Sequence, residues 1–178
     1  MIKAIIFIFA LTFPVAVSSN AFSLDMQQRL GKKIFFLVLL SIIQAVMWLL
    51  GRLLGSSFMH LLSDYAKFVP VVLCFIVMFR MLLDTIKIRN GGNLFVVDNV
   101  KQLSFLSVAL GINTFFVGLG YEYFPLCGDI TPLVILIAAL VWAFSEAFTP
   151  FSKIKLLINS LLNLVFSLVI LVMGLLTL

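Results

Sequence analysis

The sequence predicts an all-α integral membrane protein: six transmembrane helices, arranged as two inverted three-helix repeats. Three observations carry that expectation. Apolar residues fill 63% of the 178 positions and charged residues only 11%, where a soluble domain carries about 25% charged residues. The apolar residues fall into six runs, each close to the roughly 20 residues that cross hydrocarbon. A short pattern also recurs, as Asn20-Ala21-Phe22 late in the first run and Asn113-Thr114-Phe115 inside the fourth.

The runs cover about residues 4–24, 34–55, 66–88, 102–124, 131–149 and 156–178. The first has two readings. It is a span, or it is a secretory signal: Lys3 gives a basic start, residues 4–17 are apolar, and Ser19-Asn20-Ala21 ends like a cleavage site. The second contains Gln44 and then Gly51 and Gly55, a Gly-x-x-x-Gly pair suited to close helix packing. The third carries Arg80 and Asp84, four residues apart and so on one helix face. Pro132 suits the first turn of the fifth, where a missing N–H is harmless. The sixth carries Asn159, Asn163 and Ser167 at four-residue spacing, a narrow polar stripe that should face the bundle.

Charge sets the orientation. Loops 1–2, 3–4 and 5–6 hold eight Lys and Arg residues, against Lys3, Arg52 and Lys67 on the other side. The basic side is expected in the cytoplasm, which places both termini outside it. Three spans per half is an odd number, so homologous halves would insert in opposite senses. The chain then reads as a single membrane domain, 1–178, with repeats at about 1–90 and 100–178.

The same composition narrows function. A net charge of +5 would suggest nucleic acid in a soluble protein, but here the basic residues sit in short loops. No phosphate loop, nucleophile elbow or HExxH motif is present, so no enzyme and no cofactor is expected. Cys74 lies mid-span and Cys127 in a loop, depths that disfavour a disulfide. The partner the composition points to is the lipid bilayer, and nucleic acid is not expected.

Several stretches resemble the small bacterial manganese efflux pumps of the MntP family, related to the LysE-type exporters. Gln44-Ala45-Val46-Met47-Trp48-Leu49-Leu50-Gly51 resembles the family's second-helix pattern. Phe79-Arg80-Met81-Leu82-Leu83-Asp84 resembles its Gly-Arg-Met-x-x-Glu. Gly111-Ile112-Asn113-Thr114-Phe115-Phe116-Val117-Gly118-Leu119-Gly120 resembles its Ser-Ile-Asp-Ala-Leu-Ala-Val-Gly-Val-Gly, and Ser18-Ser19-Asn20-Ala21-Phe22-Ser23 its Ser-Met-Asp-Ala-Phe-Ala. The likeness runs through spans two to four and fades in five and six, where Ala143-Phe144-Ser145-Glu146-Ala147 replaces a glycine-rich pattern. It implies a transporter of Mn²⁺ or another cation. Both motif aspartates are amides here, Asn20 and Asn113; an alternative alignment of the first helix puts Pro14 at that position.

Hard divalent cations prefer oxygen ligands, anionic ones above all. The expected solute site therefore lies between spans one and four, near Asn20 and Asn113. Asp84 is the best candidate metal ligand and Gln44 a further contact, with Arg80 and Glu146 as a gate or ion pair. A chain without the paired aspartates also fits a transport-inactive membrane subunit, its amides serving as interhelical hydrogen bonds.

Overall fold

A computed structural model describes residues 2–19, 30–58, 64–65, 67–89, 100–124, 130–149 and 152–177. They form α1 (Ile2–Ser19), α2 (Leu30–Phe58), α3 (Val69–Arg89), α4 (Val100–Leu119), a 3-10 turn (Tyr121–Tyr123), α5 (Pro132–Ala147) and α6 (Lys153–Leu175). The six expected spans are thus six helices, and the described residues contain no strand.

Five helices are long and apolar enough to cross a bilayer. α5 is shorter, at 16 residues, or about 24 Å at 1.5 Å per residue. Its start follows the sequence: the Thr131 hydroxyl caps the Val134 N–H and Pro132 opens the first turn. α2 runs further than expected, through Ser56 and Ser57 to Phe58. Both hydroxyls fold back onto the Leu53 carbonyl, at 2.9 and 3.1 Å. Serines bonded this way leave no polar group that would favour a turn.

α1 is the central helix: 72% of it is buried inside the bundle, against 28% of the α6 span. Phe13 on α1 packs edge-on to Trp142 on α5 at 5.1 Å and against Phe166 on α6 at 4.8 Å. Loss of residues 1–21 as a signal would remove the helix on which this aromatic group is built. α1 therefore packs as a member of the bundle.

The strongest helix pairs are α2 with α4, α3 with α6, and α1 with α5, followed by α2 with α5 and α1 with α6. Glycine explains the first. A Cβ on Gly51 would collide with the Phe115 carbonyl oxygen, one on Gly55 with that of Leu119, and one on Gly118 with that of Trp48. These backbones touch directly, as small residues permit in membrane helices. Gly174 does the same for α6, where a Cβ would lie 2.6 Å from that of Cys74. Cys74 is a free, buried thiol; Cys127 lies outside the described residues.

Candidate functional site at one end of the bundle

α1, α3 and α5 finish at the same end of the bundle at which α2, α4 and α6 begin. Near this end lies a cavity of about 190 Å³ lined by Ser18, Arg80, Asp84, Lys87, Leu106, Ala109 and Leu110. Its wall is the last turn of α1, the second half of α3 and the first half of α4. Two of the expected site residues, Arg80 and Asp84, therefore share one cavity, and Ser18 brings the end of α1 to it.

Arg80 does not close onto Asp84. Its Nη1 donates to Asn113 Oδ1 and its Nη2 to the Ala109 carbonyl, both at 2.9 Å. Asp84 takes Lys87 at 3.6 Å, one turn along the same helix. The four-residue spacing puts Arg80 and Asp84 on one face, but the guanidinium reaches across to α4, where an amide and a main-chain oxygen accept together. Asn113 is 1% exposed and joins the cavity wall through Arg80.

Gln44 goes elsewhere. Its Nε2 donates to the Ser107 carbonyl at 3.2 Å, and the Thr114 hydroxyl donates to the Gly111 carbonyl at 2.7 Å beside it. Both sit in the dry α2–α4 interface rather than in the cavity wall. Glu146, expected with Arg80 as a gate or ion pair, lies apart from it: its Oε2 lies 2.8 Å from Lys155 Nζ and accepts from Asn159 Nδ2 at 3.4 Å. Lys155 is held further by the Glu146 and Thr149 carbonyls and by the Thr149 hydroxyl.

The polar stripe of α6 faces the bundle as its spacing predicts. Asn163 donates to the Met81 carbonyl at 2.8 Å and to the Thr85 hydroxyl at 3.0 Å. The Ser160 hydroxyl donates to the Thr85 carbonyl. Four amides, Gln44, Asn113, Asn159 and Asn163, are thus buried at 2% exposure or less, yet each serves a different helix contact. Asn20, the fifth expected amide, lies outside the described residues. Among the described residues no three His, Cys, Asp or Glu side chains gather as a metal centre.

Sequence reasoning missed three participants: the Ala109 carbonyl, Lys87 and Trp142. Main-chain acceptors carry no residue signature, and Lys87 reads as a loop charge at the end of its span. Trp142 donates to the Phe9 carbonyl at 3.0 Å; inside an apolar run its N–H is masked by its ring.

The fold defines a multi-pass helical membrane protein, with Arg80, Asp84 and Lys87 lining a cavity among its helices. Residues 27–178 match a family described as a putative manganese efflux pump. The chain belongs to that family, which is a family of transporters and not of enzymes. The match takes in α2 through α6; α1 precedes it. No curated protein and no solved structure matches the chain.

Proposed function

We propose that this protein exports a divalent cation, with Mn²⁺ as the substrate its family description points to, through the cavity between α1, α3 and α4. The observation that carries this reading is the convergence of Arg80, Asp84 and, through Arg80, Asn113 on one cavity. Asp84 supplies the anionic oxygen and Asn113 a neutral one. The membrane is a bacterial inner membrane, with both termini outside the cytoplasm and the cavity toward the basic, cytoplasmic side.

Alternating access in this reading rests on two inverted repeats, α1–α3 and α4–α6. The helix pairing supports them: exchanging α1 with α4, α2 with α5 and α3 with α6 turns the α2–α4 pair into α5–α1 and returns α3–α6 to itself. Two hydrogen bonds support the register. Gln44 donates to the Ser107 carbonyl and Trp142 to that of Phe9, and 98 positions separate both the donors and the acceptors. This register pairs Asn113 with Val15 rather than with Asn20.

A second reading has a specific observation in its favour. Where the family motif carries aspartate, Asn113 leaves the charge of Arg80 without a carboxylate on α4. A divalent ion about 4 Å from a fixed positive charge meets a repulsion of about 8 kcal/mol at an effective dielectric of about 20. Such a chain would serve as a transport-inactive subunit of a membrane assembly.

Manganese efflux from everted or loaded vesicles separates the two. We expect the Asn113→Leu, Asp84→Asn double variant to lose at least tenfold in efflux rate while still folding. Efflux equal to that of the parent chain would rule out this site. If the parent chain itself moves no Mn²⁺ and Asn113→Asp gains efflux, the inactive-subunit reading stands.

A further inference from the structure

We propose that the Arg80 guanidinium is a built-in cation that occupies the solute position against α4. Arg80 and the transported cation then alternate at the same two oxygens, Asn113 Oδ1 and the Ala109 carbonyl. This rests on the reading of Asn113 as a solute contact.

The argument starts from the acceptors. An arginine that serves only as a structural clasp is satisfied best by a carboxylate, which matches its fork and its charge. Asp84 is one turn away on the same helix, yet it pairs with Lys87. Arg80 places its two terminal nitrogens on neutral oxygens instead, each at 2.9 Å. An amide oxygen and a main-chain carbonyl, here held by the two ends of one guanidinium, are the ligand types that hard cations take from proteins. Asn113 is almost fully buried with Arg80 in place, and the guanidinium is the partner of its oxygen. When the guanidinium leaves, a cation or another donor must take its place, or the acceptor is left unpaired.

The neighbouring cavity gives Arg80 somewhere to go. About 190 Å³ of space adjoins its side chain, with the Asp84 carboxylate in the same wall. A shift of the guanidinium from Asn113 toward one Asp84 oxygen frees both α4 oxygens and leaves the other carboxylate oxygen for the cation. An entering cation drives the exchange in one direction, and its departure reverses it. Specificity follows as well: an occupant must outcompete a tethered guanidinium, so weakly attracted monovalent ions are rejected.

Free guanidinium is the probe. In the purified full chain with Arg80→Ala, guanidinium chloride should fill the vacated position and raise the melting temperature saturably. The expected shift is about 3 °C at tenfold its Kd, against matched sodium chloride. Arg80→Gln, which keeps a neutral donor for Asn113, gives the same comparison if the alanine variant does not fold. The parent chain should show no such shift, and adding Asn113→Leu to either variant should abolish it. The proposal fails if guanidinium stabilises neither Arg80 variant more than the parent, or if it stabilises the Asn113→Leu doubles equally. This readout needs no manganese transport, so it is separate from failure of the efflux reading. In vesicles that do transport, guanidinium should slow Mn²⁺ efflux by Arg80→Ala and leave the parent rate unchanged; slowing of both would overturn the shared-oxygen exchange.

Discussion

The two ends of the bundle are joined by different physics. Toward the end where α2, α4 and α6 begin, long polar side chains bridge helices beside the apolar packing of Phe36, Leu37 and Leu40 with Leu103 and Ala143: Arg80 to α4, Lys155 to α5, and Asn159 to Glu146. The cavity lies there, because long side chains hold helices together without bringing their backbones close. At the other end Gly51, Gly55, Gly118 and Gly174 let backbones meet, and rings fill the remainder: Trp48 stands edge-on to Tyr121 at 5.5 Å and Phe7 lies 5.5 Å from Phe124. The lesson is mechanical. Side-chain bridges can be exchanged one at a time, whereas a backbone contact either fits or does not, so motion belongs at the cavity end.

The largest effect should come from spoiling a backbone contact. Gly118→Val puts a branched side chain against the Trp48 carbonyl and the Arg52 N–H. α2 and α4 must then separate, for an expected cost of about 3 kcal/mol or more. Gly31→Ala is the control, since nothing lies within 4 Å of its added Cβ. Reversible unfolding in mixed detergent measures both. Equal stability would mean that the α2–α4 seam does not hold this end.

An intermediate effect is expected at the cavity end. Lys155 and Glu146 are 13% and 15% exposed and 2.8 Å apart. Lys155→Met strands a carboxylate in a mostly apolar setting, which should cost about 2 kcal/mol, less than for a fully buried pair. Replacing both, Lys155→Met with Glu146→Gln, should recover most of the loss, because two neutral groups need less solvation than one unpaired charge. If the double variant is as unstable as the single one, the pair is not the element that joins α5 to α6.

How much of this was legible in the sequence depends on which kind of contact is asked about. Six helices could be read from run length, and Gly51-x-x-x-Gly55 marked a close-packing face because small residues at that spacing have few other uses in lipid. The Asn159–Asn163–Ser167 stripe gave the inward face of α6 for the same reason. Side-chain pairing was less readable. Spacing put Arg80 beside Asp84, but spacing cannot register an acceptor on another helix, and an arginine is long enough to choose. Gln44 looked like a site residue because a buried amide needs partners; the partner was a main-chain carbonyl of the packing interface. Glu146 was legible as a member of an ion pair, but its partners, Lys155 and Asn159, come from the start of α6, which spacing within its own run cannot register.

The smallest effect tests whether the aromatic end is held by its rings or by its glycines. The Arg52 guanidinium lies 4.3 Å from the Tyr121 ring centroid and 5.7 Å from that of Trp48, on the exposed side of α2. An exposed cation over a ring contributes about 0.5–1 kcal/mol, so Arg52→Ala should cost no more than that. Arg52→Lys should recover a part, since an ammonium keeps the charge but not the flat stacking face. Trp48 adds a constraint of its own: its buried indole N–H has no hydrogen-bond partner among the described residues. The ring is therefore kept in place by packing, against Tyr121 and within the buried cluster that holds Val117, rather than by a polar anchor. Losing Arg52 removes a lid from that stack without opening the seam beneath it. A loss as large as that of Gly118→Val would reverse the order, making the stack the fastening and the glycines its consequence.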